Sequence, residues 1–143
     1  MKIIIREMTA NDAKPVNTLS KQLGYPLSIE QTLKNIHAIL ASKDHTAFVA
    51  EYENEIVGWI GASQAIMIEV MPHCEINGLV IEQDHRGMGI GKLLIDKVKQ
   101  WAREKNNNKI GLRCNVKRTE AHLFYEHLGF AEIKQQKNFV ISI

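Results

Sequence analysis

Three glycines alternate in the run Leu79-Val80-Ile81-Glu82-Gln83-Asp84-His85-Arg86-Gly87-Met88-Gly89-Ile90-Gly91-Lys92-Leu93-Leu94. An apolar, strand-forming stretch enters this run and a helix-forming stretch leaves it. Without a Cβ, alternate glycines let successive main-chain N–H groups point to one side. The first turn of a helix adds N–H groups that lack an internal acceptor, together with the positive end of the helix dipole. The combination is an anion cradle suited to a pyrophosphate. Two familiar nucleotide loops are excluded. G-x-G-x-x-G fails because the third glycine follows the second by two residues, and Gly87 to Lys92 does not fit G-x-x-x-x-G-K-[ST]. The pattern present is R-x-x-G-x-G, from Arg86 to Gly91. The competing reading is an ordinary glycine-rich turn that binds nothing.

The elements that position this loop follow from periodicity. Ile3, Ile4 and Ile5 open a strand that continues to about Glu7. A helix follows from Asn11 or Asp12, with Val16, Leu19 and Leu23 at helical spacing and Pro15 in its first turn. Gly24-Tyr25-Pro26 ends it. Ser28 and Gln31 form a capping-box pattern, and Ile29, Leu33, Ile36 and Leu40 make an apolar stripe to about Ala41. Residues 45–52 read as a strand, 53–55 as a turn and 56–70 as a long second strand, an antiparallel hairpin that Met71-Pro72 breaks.

Another strand spans residues 74–81. Asn77-Gly78 is by itself a hairpin-turn signal, but a continuous strand with a bulge near Gly78 is the preferred reading. Residues 89–105 form an amphipathic helix with Leu93, Leu94, Val98 and Trp101 on one face. A short strand at 110–114 and a helix at 119–128, stopped by Gly129, come next. Strands around 130–133 and 139–143 complete the order. The fold class is α+β: one mixed sheet with helices on its faces, in a single domain of 143 residues.

Composition narrows the function classes. The 18 Lys+Arg and 16 Asp+Glu give a net charge of +2, and the basic residues are scattered, which argues against a nucleic-acid binder. No apolar run approaches the roughly 18 residues that span a bilayer, so a soluble, cytoplasmic protein without membrane contact is expected. Cys74 and Cys114 have no metal-ligand spacing and read as reduced thiols. His122 and His127 are five apart and do not share a helix face as a zinc pair would. His73, Cys74 and Glu75 point alternately along a strand and make a poor chelate, so no metal is expected. His85 touches either a cofactor or solvent.

The R-x-x-G-x-G loop resembles that of the GCN5-related N-acetyltransferases. A second block, Asn115 followed by Ala121-His122-Leu123-Phe124-Tyr125-Glu126-His127-Leu128-Gly129-Phe130, is similar to that family's A-x-x-F-Y-x-x-x-G-F signature. The spacing between the blocks and the element order match as well, so the resemblance covers essentially the whole chain. It implies a GNAT-like, mostly antiparallel central sheet with splayed strands and helices on both faces. It also implies acetyl transfer from acetyl-CoA to a primary amine by direct attack in a ternary complex.

The resemblance assigns roles to residues. Leu79, Val80 and Ile81 offer main-chain groups to the pantetheine, which lies like an added strand, and a free N–H there stabilises the oxyanion. Arg86, Gly87, Met88, Gly89, Ile90, Gly91 and Lys92 hold the pyrophosphate. Asn115 binds the pantetheine amide, while Ala121 and Phe124 line the cofactor. Tyr125 is the candidate acid: a phenol with pKa about 10 can protonate a nascent thiolate of pKa about 8.5 without being ionised at neutral pH. The other reading of Phe124-Tyr125 is plain packing of the helix.

Glu75 is the candidate base, since an amine of pKa near 10 arrives protonated. Strand alternation without a bulge places it on one side with Asn77, Leu79 and Ile81. A carboxylate that attracts a cationic substrate without taking its proton is an equal reading. Some family members carry a carboxylate where this chain has Gly78.

The acceptor is read as a small-molecule amine, with the block around Glu75 similar to branches acting on aminoglycosides or aminoalkylphosphonates. The early helices and the long hairpin frame it, with Tyr25 as a contact and Glu69 and Glu75 favouring a cation. Acetylation of a protein N-terminus or lysine is the alternative, and a non-catalytic acyl-CoA-binding module is a second one. Family members are often dimers, which implies a homodimer here.

Overall fold

A computed structural model describes residues 2–24 and 26–143, so the expectation placed on Tyr25 lies outside the described residues. The chain divides into two compact units, one ending at Leu112 and the other spanning Arg113–Ile143. The first contains β1 (Ile3–Glu7), α1 (Ala13–Ser20), α2 (Ile29–Ala41), β2 (His45–Tyr52), β3 (Glu55–Ala65), β4 (His73–Ile81), α3 (Ile90–Glu104) and β5 (Ile110–Leu112). Its strands form one sheet in the order β1-β2-β3-β4-β5. The first four are antiparallel and β5 joins β4 in parallel, a mixed and mostly antiparallel sheet as expected.

Both faces of this sheet are covered, which explains the unbroken apolar run in β2. Ala47, Phe48, Val49 and Ala50 are all buried. Ala47 and Val49 pack with Met8, Ala13, Val16 and Ile36 beneath α1 and α2, and Trp59 of β3 lies against the same cluster. The opposite face meets α3, whose Ile90, Leu94, Ile95, Val98 and Ala102 are buried. The buried stripe differs from the expected one: Leu93 is exposed, and Trp101 is half-buried with the Lys105 ammonium over its ring. Burial at Ile95 and Ala102 rotates the packed face away from Leu93.

Polar contacts fix the helix entries. Arg6 forks onto both oxygens of Asp12 at 2.8 Å and reaches Glu51 on β2 through Nε at 2.6 Å. Asp12 also accepts the Thr9 N–H at 2.8 Å, so the same carboxylate ties β1 to the entry of α1. At α2 the Ser28 hydroxyl accepts the Gln31 N–H, but the Gln31 amide donates to Asn35, so half of the expected capping box forms. Thr32 and Ile36 carry the buried face of α2, while Ile29 and Leu40 are exposed.

The β2–β3 hairpin turns through Glu53 and Asn54, both at positive φ. β3 ends at Ala65 instead of continuing to Val70. Its ladder partner is His73, the first residue of β4; Pro72 just before has no N–H to extend the pairing. Ile66, Ile68 and Met71 of the connecting loop are therefore exposed. β4 is one continuous strand, as preferred, and the hairpin reading of Asn77-Gly78 does not hold. Gly61 pairs with Gly78 and Ala62 with Ile76, leaving Asn77 as the extra residue of a bulge.

The second unit contains α4 (Thr119–His127). Its end is a Schellman motif: the Gly129 N–H, at φ +96, bonds to the Glu126 carbonyl and the Phe130 N–H to that of Tyr125. The strands expected around 130–133 and 139–143 are not formed, and residues 131–143 are exposed. Phe139, Val140, Ile141 and Ile143 have strand-type side chains, but strand propensity acts through a pairing neighbour, and no ladder among the described residues includes them.

Candidate active site

The bulge at Asn77 determines what β4 presents. Beyond it, the alternation is reset by one residue, so Glu75 shares its side of the sheet with Asn77, Gly78 and Val80. Leu79 and Ile81 turn to the α3 side, where the Ile81 side chain lies 3.0 Å from a Cβ built on Gly58. The expectation that Glu75, Leu79 and Ile81 share one side is corrected by this single inserted residue. The Asn77 amide donates to Ser63, the residue paired with Glu75, which keeps Asn77 on the Glu75 side.

The main chain of β4 is equally informative. The Glu82 N–H donates to the Val57 carbonyl on β3 at 2.8 Å. Antiparallel alternation then turns the main-chain groups of Val80 toward β3 and those of Leu79 and Ile81 away from it. On that far side β5 pairs only with Cys74, Glu75 and Ile76. No strand of the sheet pairs with Asn77–Ile81 there, among the described residues. Of the three residues expected to offer main-chain groups, Leu79 and Ile81 have them on the unpaired side, while those of Val80 are engaged with Trp59.

From Ile81 the chain enters a short 3-10 helix, Gln83–His85. The Glu82 carboxylate caps it, accepting the Asp84 N–H at 2.8 Å and meeting His85 Nδ1 at 2.7 Å. These bonds hold the Glu82 carboxyl below its ordinary value, the His85 contact contributing most. His85 also stands edge-on to Tyr52 with ring centroids 5.5 Å apart, so it supports the loop. Gly87 and Gly89 adopt φ of +82 and +80, and a Cβ at either would meet nothing within 4 Å. This is the conformation for which glycine is suited. It leaves open space beside the start of α3, where Gly89 is the N-cap and no side chain caps the helix. Arg86 and Met88 are exposed, while Ile90 and Gly91 are buried in the first turn of α3. The Arg86 guanidinium donates to Gln22 at 3.1 Å, and Lys92 pairs with Asp96 at 2.8 Å on the helix surface.

Glu75 has a partner the sequence reading passed over. Its Oε1 lies 2.9 Å from Nε2 of His73, and Nδ1 of His73 meets the Met71 carbonyl at 3.1 Å. The Glu75 hydrogen bond, followed by the Met71 bond, raises the His73 pKa above its usual value. The available signal was H-x-E on a strand, which puts both side chains on one side. Cys74 points to the opposite side, fully buried; burial pushes its thiol up to about 11.

The remaining candidates lie in the second unit. Asn115 falls three residues past the end of β5, which stops at Leu112 and not at Cys114. Its side chain accepts the Lys117 N–H at 2.9 Å and its carbonyl lies 2.8 Å from His122 Nε2. Ala121 and Phe124 are one turn apart on α4, Ala121 half-buried and Phe124 at its exposed margin. The Tyr125 ring stands edge-on to Phe124 at 5.2 Å and to Phe130 at 5.8 Å. Burial raises the Tyr125 pKa above 10, Cys114 adding to the shift and Arg118 opposing it.

A mixed sheet with helices on both sides, one edge of which runs unpaired into a glycine turn at a helix mouth, is the architecture of the acyl-CoA-dependent N-acetyltransferases. The Acetyltransferase (GNAT) family model matches residues 14–130, and the chain belongs to that family. It is 31% identical over 114 residues to the uncharacterized N-acetyltransferase YhdJ of Bacillus subtilis, covering 78% of this chain and 80% of that one. It is accordingly an N-acetyltransferase with acetyl-CoA as cosubstrate.

Solved structures share its fold. The apo aminoglycoside 6'-N-acetyltransferase AAC(6')-IG of Acinetobacter haemolyticus superposes with a TM-score of 0.86 at 21% identity, over 98% of this chain and 99% of that one. AAC(6')-Iy in complex with the bisubstrate analog CoA-S-monomethyl-acetylneamine gives 0.88 at 20% identity, over 100% of both chains. No helix among the described residues is long and apolar enough to cross a membrane.

Proposed function

We propose that this chain, acting as a single domain of residues 1–143, transfers the acetyl group of acetyl-CoA directly to a primary amine of a small molecule. The observation that carries the reading is the unpaired edge of Leu79 and Ile81 running into the left-handed glycines at the start of α3. Pantetheine hydrogen-bonds to that edge as an added strand. An edge N–H faces the thioester oxygen and stabilises the oxyanion as charge develops. Val80 braces the edge against β3. Main-chain N–H groups from Gly87 through Met88, Gly89, Ile90 and Gly91 to Lys92 receive the pyrophosphate, with Arg86 beside them. Asn115 binds the pantetheine amide, and Ala121 and Phe124 line the cofactor.

Tyr125 protonates the departing thiolate, supported by a phenol that burial keeps protonated at neutral pH. Glu75 takes the proton of the incoming ammonium. The aminoglycoside acetyltransferases among the fold neighbours support a small polyamine-like acceptor. The exposed apolar loop at Ile66, Ile68 and Met71, together with the exposed Phe139–Ile143 segment, supports a homodimer. Two free cysteines support a cytoplasmic site.

The test is acetyl-CoA-dependent release of free thiol over a panel of polyamines, neamine and other aminoglycosides, aminophosphonates, amino acids and peptides. Turnover with small amines is expected. Turnover with peptides alone favours a protein acetyltransferase, and coenzyme binding with no turnover favours a binding module.

A further inference from the structure

We propose that His73 and Glu75 form a proton-relay pair, in which Glu75 removes a proton from the acceptor ammonium and His73 receives it and passes it to water. The proposal rests on the acetyltransferase reading above, with Glu75 as the base. The two residues are ladder neighbours i and i+2 on β4, on the same side of the sheet, with Nε2 and Oε1 2.9 Å apart. The second ring nitrogen is fixed by a group that can only accept, the Met71 carbonyl at 3.1 Å. Nδ1 therefore carries a hydrogen in either protonation state. The Nε2–Oε1 bond then holds one proton, shared between ring and carboxylate, and the pair loads and unloads that proton as a unit.

The surroundings suit this role. The side chains of His73 and Glu75 are 18% and 19% exposed, buried enough to hold their geometry and open enough to exchange with water. On β3 they face Ala65 and Ser63, neither of which titrates. On β5 Glu75 faces Gly111, where a Cβ would come 3.1 Å from Oε1. Lys109 opposes protonation of His73 and Glu75 favours it. Cys74, between them in sequence, lies on the other side of the sheet.

The proton balance is simple. In the unloaded pair, Glu75 is a carboxylate and His73 a neutral ring protonated at Nδ1. The ammonium N–H bond breaks and an O–H bond forms on Glu75. That O–H then breaks as Nε2–H forms, giving imidazolium and carboxylate. Loss of the Nε2 proton to water resets the pair, and the free amine attacks the thioester. A loaded pair cannot accept through this route, so the rate falls as pH drops through the titration of His73. His73 is thus a positioning residue that acts through Glu75.

The test uses the full chain. His73 is titrated by nitrogen-15 NMR in the wild type and in Glu75→Gln. The pH dependence of kcat/KM for thiol release is measured with neamine as probe acceptor, or with the fastest amine of the panel, in the wild type and in His73→Gln. Amide spectra check that each variant is folded. The wild-type ring is expected to titrate above 6.5 and to drop by at least half a pH unit in Glu75→Gln. The acid limb of kcat/KM should coincide with the His73 titration and move down by at least one unit in His73→Gln, with KM for acetyl-CoA unchanged. An acid limb that stays in place, or a ring indifferent to Glu75→Gln, overturns the proposal. If no amine supports thiol release, the small-amine reading falls and the relay role with it. The NMR titration then decides separately whether the two residues share a proton.

Discussion

The indole of Trp59 occupies the space that a side chain at Gly78 would need: a Cβ built there lies 2.6 Å and 2.9 Å from two of its ring carbons. Trp59 in turn packs on the cluster under α1 and α2, so it has little room to yield. This accounts for glycine at a position where some members of the family carry a carboxylate, and it leaves Glu75 as the carboxylate on that stretch of β4. Gly78→Ala should therefore destabilise the fold by about 1–3 kcal/mol through overpacking, and Gly78→Asp by more. Chemical denaturation measures it; an Ala variant as stable as the wild type would mean the indole moves freely.

At the glycine turn, space is open and conformation is the constraint. Gly89→Ala puts a non-glycine residue at φ +80, a strain of about 1–2 kcal/mol. Gly89→Val adds a branched side chain over the first N–H groups of α3. Calorimetric titration with coenzyme A should show at least a tenfold loss of affinity for Val, from a variant whose amide spectrum remains folded.

Tyr125 is held between Phe124 and Phe130, and the Schellman motif at Gly129 is what brings Phe130 back onto it. Tyr125→Phe preserves both ring contacts and removes only the hydroxyl. Turnover should fall by about 10²-fold with the KM for acetyl-CoA nearly unchanged. Because burial raises the phenol pKa, any loss of wild-type rate from phenol ionisation should set in at a higher pH than for an unperturbed tyrosine. Equal turnover in wild type and Phe variant would remove the acid role.

How much of this was legible in the sequence depends on how local each cause is. Gly129 announced the left-handed end of α4 because the constraint lies in a single residue, and the order of the first nine regular elements followed from periodicity. The glycine run announced a turn into α3, but not that Gly87 and Gly89 are left-handed while Gly91 lies inside the helix. The segment from Phe139 to Ile143 has the composition of a strand, but a strand also requires a partner, which no residue type specifies. The bulge at Asn77 was anticipated, yet its effect on the sides of Leu79 and Ile81 depends on the exact register with β3. The His73–Glu75 bond needed both the alternation and the Met71 carbonyl, and only the latter lies beyond sequence.

Acid stability should report the Arg6–Asp12 fork. Burial works to raise the Asp12 pKa, but the Arg6 hydrogen bond and the Thr9 N–H outweigh it and hold the carboxyl below its ordinary value. A depressed carboxylate stabilises the fold above its unfolded pKa, about 4, and that stability is lost as pH falls through the folded value. Asp12→Asn should cost about 2 kcal/mol at pH 7, and the difference from wild type should shrink as pH falls below the ordinary carboxyl range and through the depressed folded value. Denaturation across that range checks it, and a difference independent of pH would assign the loss to packing alone.

The most direct measurement is a crystal structure of the chain grown with saturating coenzyme A. The diphosphate oxygens are expected within hydrogen-bonding distance of the main-chain N–H groups between Gly87 and Lys92, with pantetheine alongside Leu79 and Ile81. Phosphates bound at another place, or a coenzyme that leaves this turn empty, would contradict the assignment.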